Sequence, residues 1–437
     1  MKMRTVGVAY GDGSLKFSLR KGRPAGIIEN ASPAKRGARA VLKESLGAEV
    51  RARLCRLFKD KRRLLVVVPD LTRKAHLRDI LPEVLRIPSR ACRVGIVAAT
   101  GLHLPHSGEE LMRLVGREIC KRYNVFSHTQ EKTHLADFGR TRSGHSIVLN
   151  RCLKEYDSII SVGVIEPHLY AGFSGGAKTI AIGLAGEAVI NSTHHPRFLD
   201  DKRVGLGMIR GNPFQDLLWD IAKRFPVVFS VNVVNDSRGN ALRIFAGGMR
   251  DVFQKGVEYA RRVYGAKVGG KAKVVIAGVG YPKDSNLYQA SRAMNYILDS
   301  GSSILEEGGF LILAAELRDG LGGGIAEKRC FDTLKNVVSS SGRHGDIGAR
   351  LKSFIDGVKA GGCLGGEHRA YMIARAALKA RIILVGERAK EVAEGLPFKT
   401  ARTIGEALSH ADKIIGDRYK IYVVPNSLSV IAKAGVG

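Results

Sequence analysis

Short apolar segments with little polar alternation recur along this chain of 437 residues. Many of their residues are β-branched, and such segments are typical of strands that are covered on both faces, as in parallel sheets. We predict strands at residues 64–68, 94–98, 158–164, 226–234, 274–279, 310–313, 382–385 and 421–424.

Between these segments the apolar residues follow helical spacing. Residues 33–46, 251–263 and 325–338 are predicted helices, and the first of them has Ser32 as its N-cap and Gly47 as its stop. The alternation of strands and helices predicts an α/β fold with mostly parallel sheets.

The length suggests two or three domains. A small, basic, glycine-rich segment at residues 264–273 predicts a linker or hinge between an N-terminal domain, 1–265, and a C-terminal α/β domain, 272–437. We expect two α/β lobes with an active-site cleft between them.

Composition narrows the class of protein. No apolar run approaches the roughly 18 residues that a membrane-spanning helix needs, and no signal-peptide core follows the basic start, so we expect a cytoplasmic protein without a membrane partner. The cysteines are scattered without a Cys-x-x-Cys pair, and we predict mostly buried thiols with no metal or redox role. They are Cys55, Cys92, Cys120, Cys152, Cys330 and Cys363.

The net charge of +29 first suggests a basic nucleic-acid-binding protein. Residues 1–100 hold 23 basic and 8 acidic side chains, a net of +15, whereas residues 151–200 hold 4 and 5, a net of −1. The charge is therefore concentrated away from the densest motif described below. Nucleic-acid binding stays an alternative hypothesis, and we expect no nucleic-acid partner.

Polar residues follow three of the predicted strands, where open parallel sheets bind their ligands. After strand 64–68 come Asp70, Thr72 and Arg73; the first two could cap a helix, whereas the planar fork of Arg73 suits a carboxylate or phosphate. After strand 94–98, Gly101 permits a tight turn that exposes His103, a candidate acid or base near neutral pH.

The third cluster is the densest and runs from Glu166 through His168 to Thr179. Its glycines would let backbone amides approach a phosphate, with Lys178 projecting into the same site. The span 172–179 nearly matches a phosphate-binding loop, but Ala177 replaces the glycine before the lysine. A P-loop-like nucleotide hydrolase is therefore a second alternative.

In their order along the chain, these motifs resemble those of the lactate racemase family. They are Asp70-x-Thr-Arg73, Gly101-x-His103-x-Pro105, Glu166-Pro-His168, Phe173-Ser-Gly-Gly-x-Lys178, His194 and the cluster 282–292 with Gln289 and Arg292. The resemblance covers roughly residues 5 to 430. It implies a racemase or epimerase of a 2-hydroxy acid, loaded by cofactor-synthesis and nickel-insertion proteins.

The resemblance also implies the cofactor and the residue roles. The cofactor is a nickel-pincer nucleotide, nickel pyridinium-3,5-bisthiocarboxylic acid mononucleotide, held by the N-terminal domain. By position, Lys178 is its covalent tether and His194 the nickel ligand, with His195 second. His103 and His168 are the acid/bases, while Arg73, Gln289 and Arg292 bind substrate. Further cofactor contacts are expected from Asp70, Thr72, Ser174, Gly175 and Gly176.

The implied reaction suits these residue types. One histidine would take the hydroxyl proton while hydride leaves the carbinol carbon for the cofactor, giving a planar 2-keto acid that accepts hydride on either face. Three departures from the family pattern put lactate itself in question: Lys74 follows Arg73, Leu104 follows His103, and Arg292 stands where lysine is expected. Arginine and lysine differ in fork geometry, so Arg292 could read a second anionic or polar group.

Overall fold

The computed structural model describes residues 3–20, 25–29, 36–58, 62–86, 92–299, 303–340 and 346–435. Two compact units make up the chain. The N-terminal unit comprises Ala31–His194 and Asp201–Val263, and the C-terminal unit comprises Met1–Asn30, His195–Asp200 and Tyr264–Gly437.

The N-terminal unit is built on a six-stranded sheet. Its strands, in spatial order, are Ala241–Gly247, Val227–Asn235, Ser158–Val164, Arg63–Pro69, Arg93–Ala99 and Asn124–Ser127. All neighbours are parallel except the first pair, which is antiparallel at one edge. Strand Ser158–Val164 is buried along its whole length, which is why it has no polar alternation.

Helices and hairpins surround this sheet. The helices are Ala38–Ser45, Ala48–Phe58, Leu77–Val84, Gly108–Val115, Arg117–Arg122, Ala177–Ala181, Glu187–Thr193, Pro213–Ala222 and Met249–Tyr264, with single 3₁₀ turns at Lys132–His134 and Arg151–Lys154. Two antiparallel pairs add to them: Leu135–Arg140 with Ser146–Asn150, and Pro167–His168 with Gly172–Phe173.

The C-terminal unit has a second six-stranded sheet, which is parallel throughout. Its order is Lys399–Ala401, Arg381–Val385, Leu305–Ala314, Ala272–Gly278, Ile421–Val424 and Ala25–Ile27. The N-terminal hairpin Met3–Tyr10 with Gly13–Arg20 belongs to this unit. The helices are Pro196–Leu199, Leu287–Ala290, Arg292–Leu298, Ile325–Ser339, Ile347–Gly361, Glu367–Lys379, Ala389–Val392 and Ile404–Ile415, with a 3₁₀ turn at Ser427–Ser429.

The predicted α/β class with mostly parallel sheets is confirmed, and each of the eight predicted strands overlaps an observed one. Among the predicted helices, the first begins at Ala38 with Gly37 as its N-cap, while Ser32 lies outside the described residues. Its last residue is Ser45, so Leu46, and not Gly47, is the C-cap.

The division of the chain differs from the predicted boundary 1–265 and 272–437, because residues 1–30 and 195–200 pack with the C-terminal unit. The predicted linker 264–273 differs as well. Its residues Gly265–Gly269 form a strand that pairs in parallel with Ile431–Gly435, since a glycine-rich segment extends as readily as it turns once a partner strand is available.

The described cysteines match the predicted burial only in part. All six are free thiols, but just Cys152 and Cys330 are buried, while Cys55 is exposed and the others are half-buried. Burial raises the pKa of the Cys152 thiol to about 12, so that it stays protonated and unreactive at neutral pH.

Candidate active site

Three adjacent strands of the N-terminal sheet carry the predicted chemistry at their carboxyl ends. Strand Arg63–Pro69 lies between Ser158–Val164 and Arg93–Ala99, and all three run in the same direction. The loops that contain Asp70, His103 and Glu166 therefore leave the sheet at one edge, which is where an open parallel sheet places its ligand crevice.

Asp70 and His103 form a close polar pair at this edge. The Asp70 Oδ2 atom lies 2.5 Å from Nδ1 of His103, while its Oδ1 accepts hydrogen bonds from the backbone N–H and the hydroxyl of Thr72. Asp70 and Thr72 do not cap the next helix, which begins at Leu77 after His76. Asp70 thus orients His103, and Thr72 hydrogen-bonds the other oxygen of the Asp70 carboxylate. The sequence predicts Asp70 and Thr72 as cofactor contacts, and these bonds give them a supporting role toward His103.

The ionisation of Asp70 follows from its neighbours. Burial by itself raises the pKa of this carboxyl, but the charge and hydrogen bond of His103, together with Arg73, lower it more, and the net pKa lies well below its usual range. A carboxylate can only accept, so Nδ1 of His103 carries a hydrogen and the neutral ring has its lone pair on Nε2.

Arg73 lies next to a second carboxylate. Its Nη1 is 2.5 Å from Oε1 of Glu166, and both side chains are about 15% exposed, at 14% and 15%. Glu166 follows the neighbouring strand, so this ion pair joins two of the three loops. A guanidinium has five N–H donors in a planar fork, a geometry that suits carboxylates.

His168 and His194 both pack against Tyr170. The Tyr170 ring centroid is 5.7 Å from that of His168 and 5.2 Å from that of His194, and both contacts are edge-to-face. Phe214 completes the cluster, with its ring 5.3 Å from His194 and 5.9 Å from Tyr170. The aromatic walls fix both imidazoles and keep the site largely apolar.

Backbone groups set the tautomers of these two histidines. Nδ1 of His168 accepts from the N–H groups of Tyr170 and Ala171 at 3.3 and 3.2 Å, so a neutral His168 has its hydrogen on Nε2. Nδ1 of His194 lies 3.1 Å from the carbonyl of Ile190, which can only accept, so a neutral His194 has its lone pair on Nε2. That tautomer is the one that binds a metal through Nε2.

A glycine turn precedes Lys178. Gly175 and Gly176 have φ angles of +83° and +53°, and a Cβ on Gly175 would lie 2.5 Å from Oδ1 of Asn232. The hydroxyl of Ser174 donates to the Val164 carbonyl at 2.7 Å, which ties the turn to its strand. Lys178 follows in the first turn of helix Ala177–Ala181 and is half-buried.

Asn232 is a site residue that the sequence analysis missed. It is fully buried in strand Val227–Asn235, its Oδ1 accepts from the Gly176 N–H at 3.4 Å, and its Nδ2 donates to Ser230. A polar residue in the middle of a largely apolar strand was the available signal, but only the fold places it against a turn 56 residues away.

Three further predicted site residues belong to the C-terminal unit: His195, Gln289 and Arg292. His195 caps helix Pro196–Leu199, with Nδ1 accepting from the Arg197 N–H at 3.2 Å. Gln289 and Arg292 lie buried in two successive short helices, and Nη1 of Arg292 donates to Oε1 of Gln289 at 3.0 Å.

The described residues contain neither a cluster of metal ligands nor a membrane-spanning helix. Across this part of the chain, no group of three or more His, Cys, Asp and Glu side chains could hold a metal. Within the same residues, no helix has both the length and the apolar character that a membrane crossing needs.

Comparison with models of known protein families shows to which family the chain belongs. The model described as the lactate racemase N-terminal domain matches residues 10–207, and the one described as the lactate racemase C-terminal domain matches residues 269–432. The two matches follow each other along most of the chain. The chain belongs to the lactate racemase family.

Individual members of the lactate racemase family agree with this assignment. Lactate racemase of Thermoanaerobacterium thermosaccharolyticum is 27% identical over 445 residues, which is 99% of this chain and 100% of that protein. Lactate racemase of Lactiplantibacillus plantarum is 27% identical over 388 residues, 86% of each chain. Family membership and these relatives identify the chain as an isomerase of the racemase type.

Solved structures support the same fold. The lactate racemase apoprotein of Thermoanaerobacterium thermosaccharolyticum matches with a TM-score of 0.82 and 26% identity, covering 98% of this chain and 100% of that one. A crystal structure of a Thermotoga maritima protein matches with a TM-score of 0.68 and 16% identity, covering 89% and 98% respectively, and shows the fold alone.

Proposed function

We propose that the chain interconverts the stereoisomers of a 2-hydroxy acid, with a nickel-pincer nucleotide as cofactor. The observation that carries this proposal is the pair of imidazoles fixed in complementary tautomers. A neutral His103, held by Asp70, has a lone pair on Nε2, whereas a neutral His168, held by loop amides, has a hydrogen there. Nε2 of His103 can therefore accept a proton, and the Nε2–H group of His168 can donate a hydrogen bond to a substrate oxygen.

The residues of the N-terminal unit fit the cofactor. The turn at Gly175 and Gly176 has no space for a Cβ, because Asn232 and Phe253 pack against it, and Lys178 presents a primary amine directly after this tight turn. His194 offers Nε2 as a single protein ligand, which suits a group that brings its other nickel ligands with it. When bound, the cofactor would supply the acceptor and donor of hydride.

The two histidines would handle the hydroxyl proton. In one enantiomer the substrate hydroxyl faces His103, which removes its proton through Nε2; in the other it faces His168. Loss of hydride from the carbinol carbon then gives a planar 2-keto acid. Return of hydride to the opposite face is matched by proton donation from the opposite histidine, which is an imidazolium at that point and becomes neutral, so each ring alternates between the neutral and the cationic form.

Charged side chains would hold the substrate and its intermediate. Arg73 would anchor the substrate carboxylate through its planar guanidinium, and Glu166 keeps the guanidinium in place. Gln289 and Arg292 are proposed as further substrate contacts. Lactate is the first substrate to test because it is named for both relatives. Arg292 makes an acid with a second polar or anionic group the next candidate.

Two further expectations accompany this proposal. Cofactor-synthesis and nickel-insertion proteins would load the chain, because the cofactor is built before it is bound. The reaction would take place in the cytoplasm, where those proteins act. The P-loop alternative is disfavoured, because the hairpin of Pro167–His168 with Gly172–Phe173 separates the strand from the Lys178 helix, where a P-loop would connect them directly.

Loading experiments test the cofactor assignment. The chain is co-expressed with cofactor-synthesis enzymes, and nickel content and the mass of the Lys178 peptide are measured. We expect one nickel and a lysine adduct in the wild type, no adduct in Lys178→Ala, and an adduct without stable nickel in His194→Ala. His195→Ala is the matched control and keeps both. If the wild type has neither nickel nor an adduct, the cofactor proposal fails.

A further inference from the structure

We propose that Gln130 is a positioning residue, whose side-chain amide fixes the loop of His103 relative to the helix that ends at His194. This inference rests on the proposed function, because it assumes that His103 and His194 act on one bound substrate and cofactor. It concerns a residue outside every motif of the sequence analysis.

Gln130 uses both ends of its amide to connect two segments. Its Nε2 donates to the carbonyl of Gly101 at 2.8 Å and to that of Ala185 at 2.9 Å, and its Oε1 accepts from the N–H of Glu187 at 2.8 Å. Gly101 precedes His103 by two residues. Glu187 begins the helix Glu187–Thr193, for which His194 is the C-cap.

Each of these bonds satisfies a group that needs a partner. The first N–H groups of a helix have no acceptor within it, so Oε1 of Gln130 acts as an N-terminal cap for Glu187 from another segment. On the other side, Gly101 has a φ of +59° and donates its own N–H to Gly183 at 3.0 Å. The Gly101 carbonyl is thereby held toward Gln130.

His128 keeps the surroundings of Gln130 in one hydrogen-bonding pattern. Nδ2 of Asn150 donates to Nδ1 of His128 at 3.1 Å, and Nε2 of His128 therefore carries a hydrogen and donates to Ala185 at 3.0 Å. Burial lowers the pKa of His128 to about 4, so it stays neutral at physiological pH. Nε2 of His128 and Nε2 of Gln130 then both face the Ala185 carbonyl and lie 3.0 Å from each other. The orientation of the Gln130 amide is fixed by the Glu187 N–H, which can only donate and therefore selects Oε1.

The consequence is geometric. His103 and His194 belong to segments far apart in sequence, and the sheet alone fixes only where each segment starts. The Gln130 amide adds a second connection between them, beside the hydrogen bond from the Gly101 N–H to the Gly183 carbonyl. A shift of about 1 Å between an acid/base and the reacting centre can cost about 100-fold in rate, whereas substrate affinity depends on other contacts.

Kinetics of the loaded enzyme give the first test. Gln130→Met preserves size but removes every hydrogen bond, and we expect kcat to fall about 30- to 100-fold with KM within about 3-fold. Nickel content and thermal midpoint should stay near those of the wild type. The control is Thr129→Ala, which removes only a local bond from the Glu131 N–H, and it should leave kcat unchanged.

Two kinetic results would overturn the inference. An unchanged kcat in Gln130→Met would show that the amide does not position the site. A parallel loss of kcat, nickel and thermal midpoint would show that it merely supports the fold.

Backbone hydrogen exchange of the cofactor-free full chain gives a second readout, one that does not depend on the reaction. Gln130→Met should speed exchange at Glu187 and also at Gly101 and His103. Gln130→Glu keeps the acceptor for Glu187 but cannot donate, and should speed exchange at the loop alone. Faster exchange on only one side in Gln130→Met contradicts the inference. If the bridge is present but the wild type racemises no 2-hydroxy acid, the proposed function fails instead.

Discussion

At the scale of single residues, the protonation of a few buried side chains decides what the site can do. Asp70 stays ionised because His103 and Arg73 lower its pKa more than burial raises it. Its charge in turn holds the hydrogen of His103 on Nδ1, which makes Nε2 the atom that takes a proton. The carboxylate is thus a support for acid/base chemistry, as in other carboxylate–histidine pairs.

Replacing Asp70 tests this dependence. Asp70→Asn keeps the shape but removes the charge, and we expect kcat of the loaded enzyme to fall by about 100-fold or more, with nickel content unchanged. Asp79→Asn, in the first turn of the next helix, is the matched control and should keep wild-type activity. Retention of more than half the activity in Asp70→Asn would contradict the assigned role.

His128 makes stability depend on pH. Its pKa is lowered to about 4 in the folded chain, against about 6.5 when unfolded, so the unfolded chain binds a proton first as pH falls. The contribution of His128 to the free energy of unfolding is therefore fully present above pH 6.5. It falls by about 3 kcal/mol as the pH drops from 6.5 to 4. Urea unfolding at pH 7 and 4.5 should show a smaller acid-induced loss in His128→Gln than in the wild type. Equal losses would contradict the prediction.

At the scale of elements, the glycine turn before Lys178 has the tightest steric limits. A Cβ on Gly175 would meet Oδ1 of Asn232 at 2.5 Å, in a backbone conformation that L-residues avoid. Gly211 has a similar φ of +67° but open space around its Cβ position. A substitution at Gly175 therefore meets both a steric clash and an unfavourable φ, whereas a substitution at Gly211 meets only the unfavourable φ.

The corresponding variants should differ. We expect Gly175→Ala to lower the free energy of unfolding by about 2 kcal/mol or more and to reduce cofactor attachment at Lys178. Gly211→Ala should cost about 1 kcal/mol and leave attachment intact. The measurements are urea unfolding and the mass of the Lys178 peptide. Equal attachment in the two variants would show that the turn does not shape the cofactor site.

The strands and their polar loops could be predicted from the sequence, whereas the long-range side-chain contacts could not. The core strands were predictable because both faces of a parallel sheet are covered, which leaves continuous apolar segments such as Ser158–Val164. The polar loops after them were predictable because parallel strands end at one edge. Asn232 and Gln130 were not, because their partners come from segments about 30 to 60 residues away and short motifs do not encode such contacts. The N-terminal hairpin was missed for a similar reason, since it packs with the distant C-terminal unit.

At the scale of the whole molecule, the net charge of +29 remains the most unusual property of the chain. The segment 151–200, which contains Lys178 and His194, is nearly neutral. The excess positive charge therefore acts on an approaching substrate from a distance and not by direct contact within that segment. A positive field raises the encounter rate of an anionic substrate with the protein, and salt screens it.

Ionic strength should therefore affect encounter but not chemistry. For a 2-hydroxy acid, we expect kcat/KM of the loaded enzyme to fall severalfold between about 20 mM and 500 mM salt, while kcat stays constant. The same titration with a single-stranded oligonucleotide should show no competition with substrate at physiological salt. A kcat/KM that is independent of salt would contradict the proposal that the positive field of the protein speeds substrate encounter.

The central claim is that two histidines move the hydroxyl proton while the hydrogen on the carbinol carbon moves as hydride. One enantiomer of lactate, deuterated at that carbon, is incubated with loaded enzyme in ordinary water, and both enantiomers are analysed by chiral chromatography and mass spectrometry. We expect the opposite enantiomer to appear with its deuterium retained, and its formation to be lost in His103→Asn and His168→Asn. Formation of the opposite enantiomer with solvent hydrogen in place of deuterium would contradict the claim.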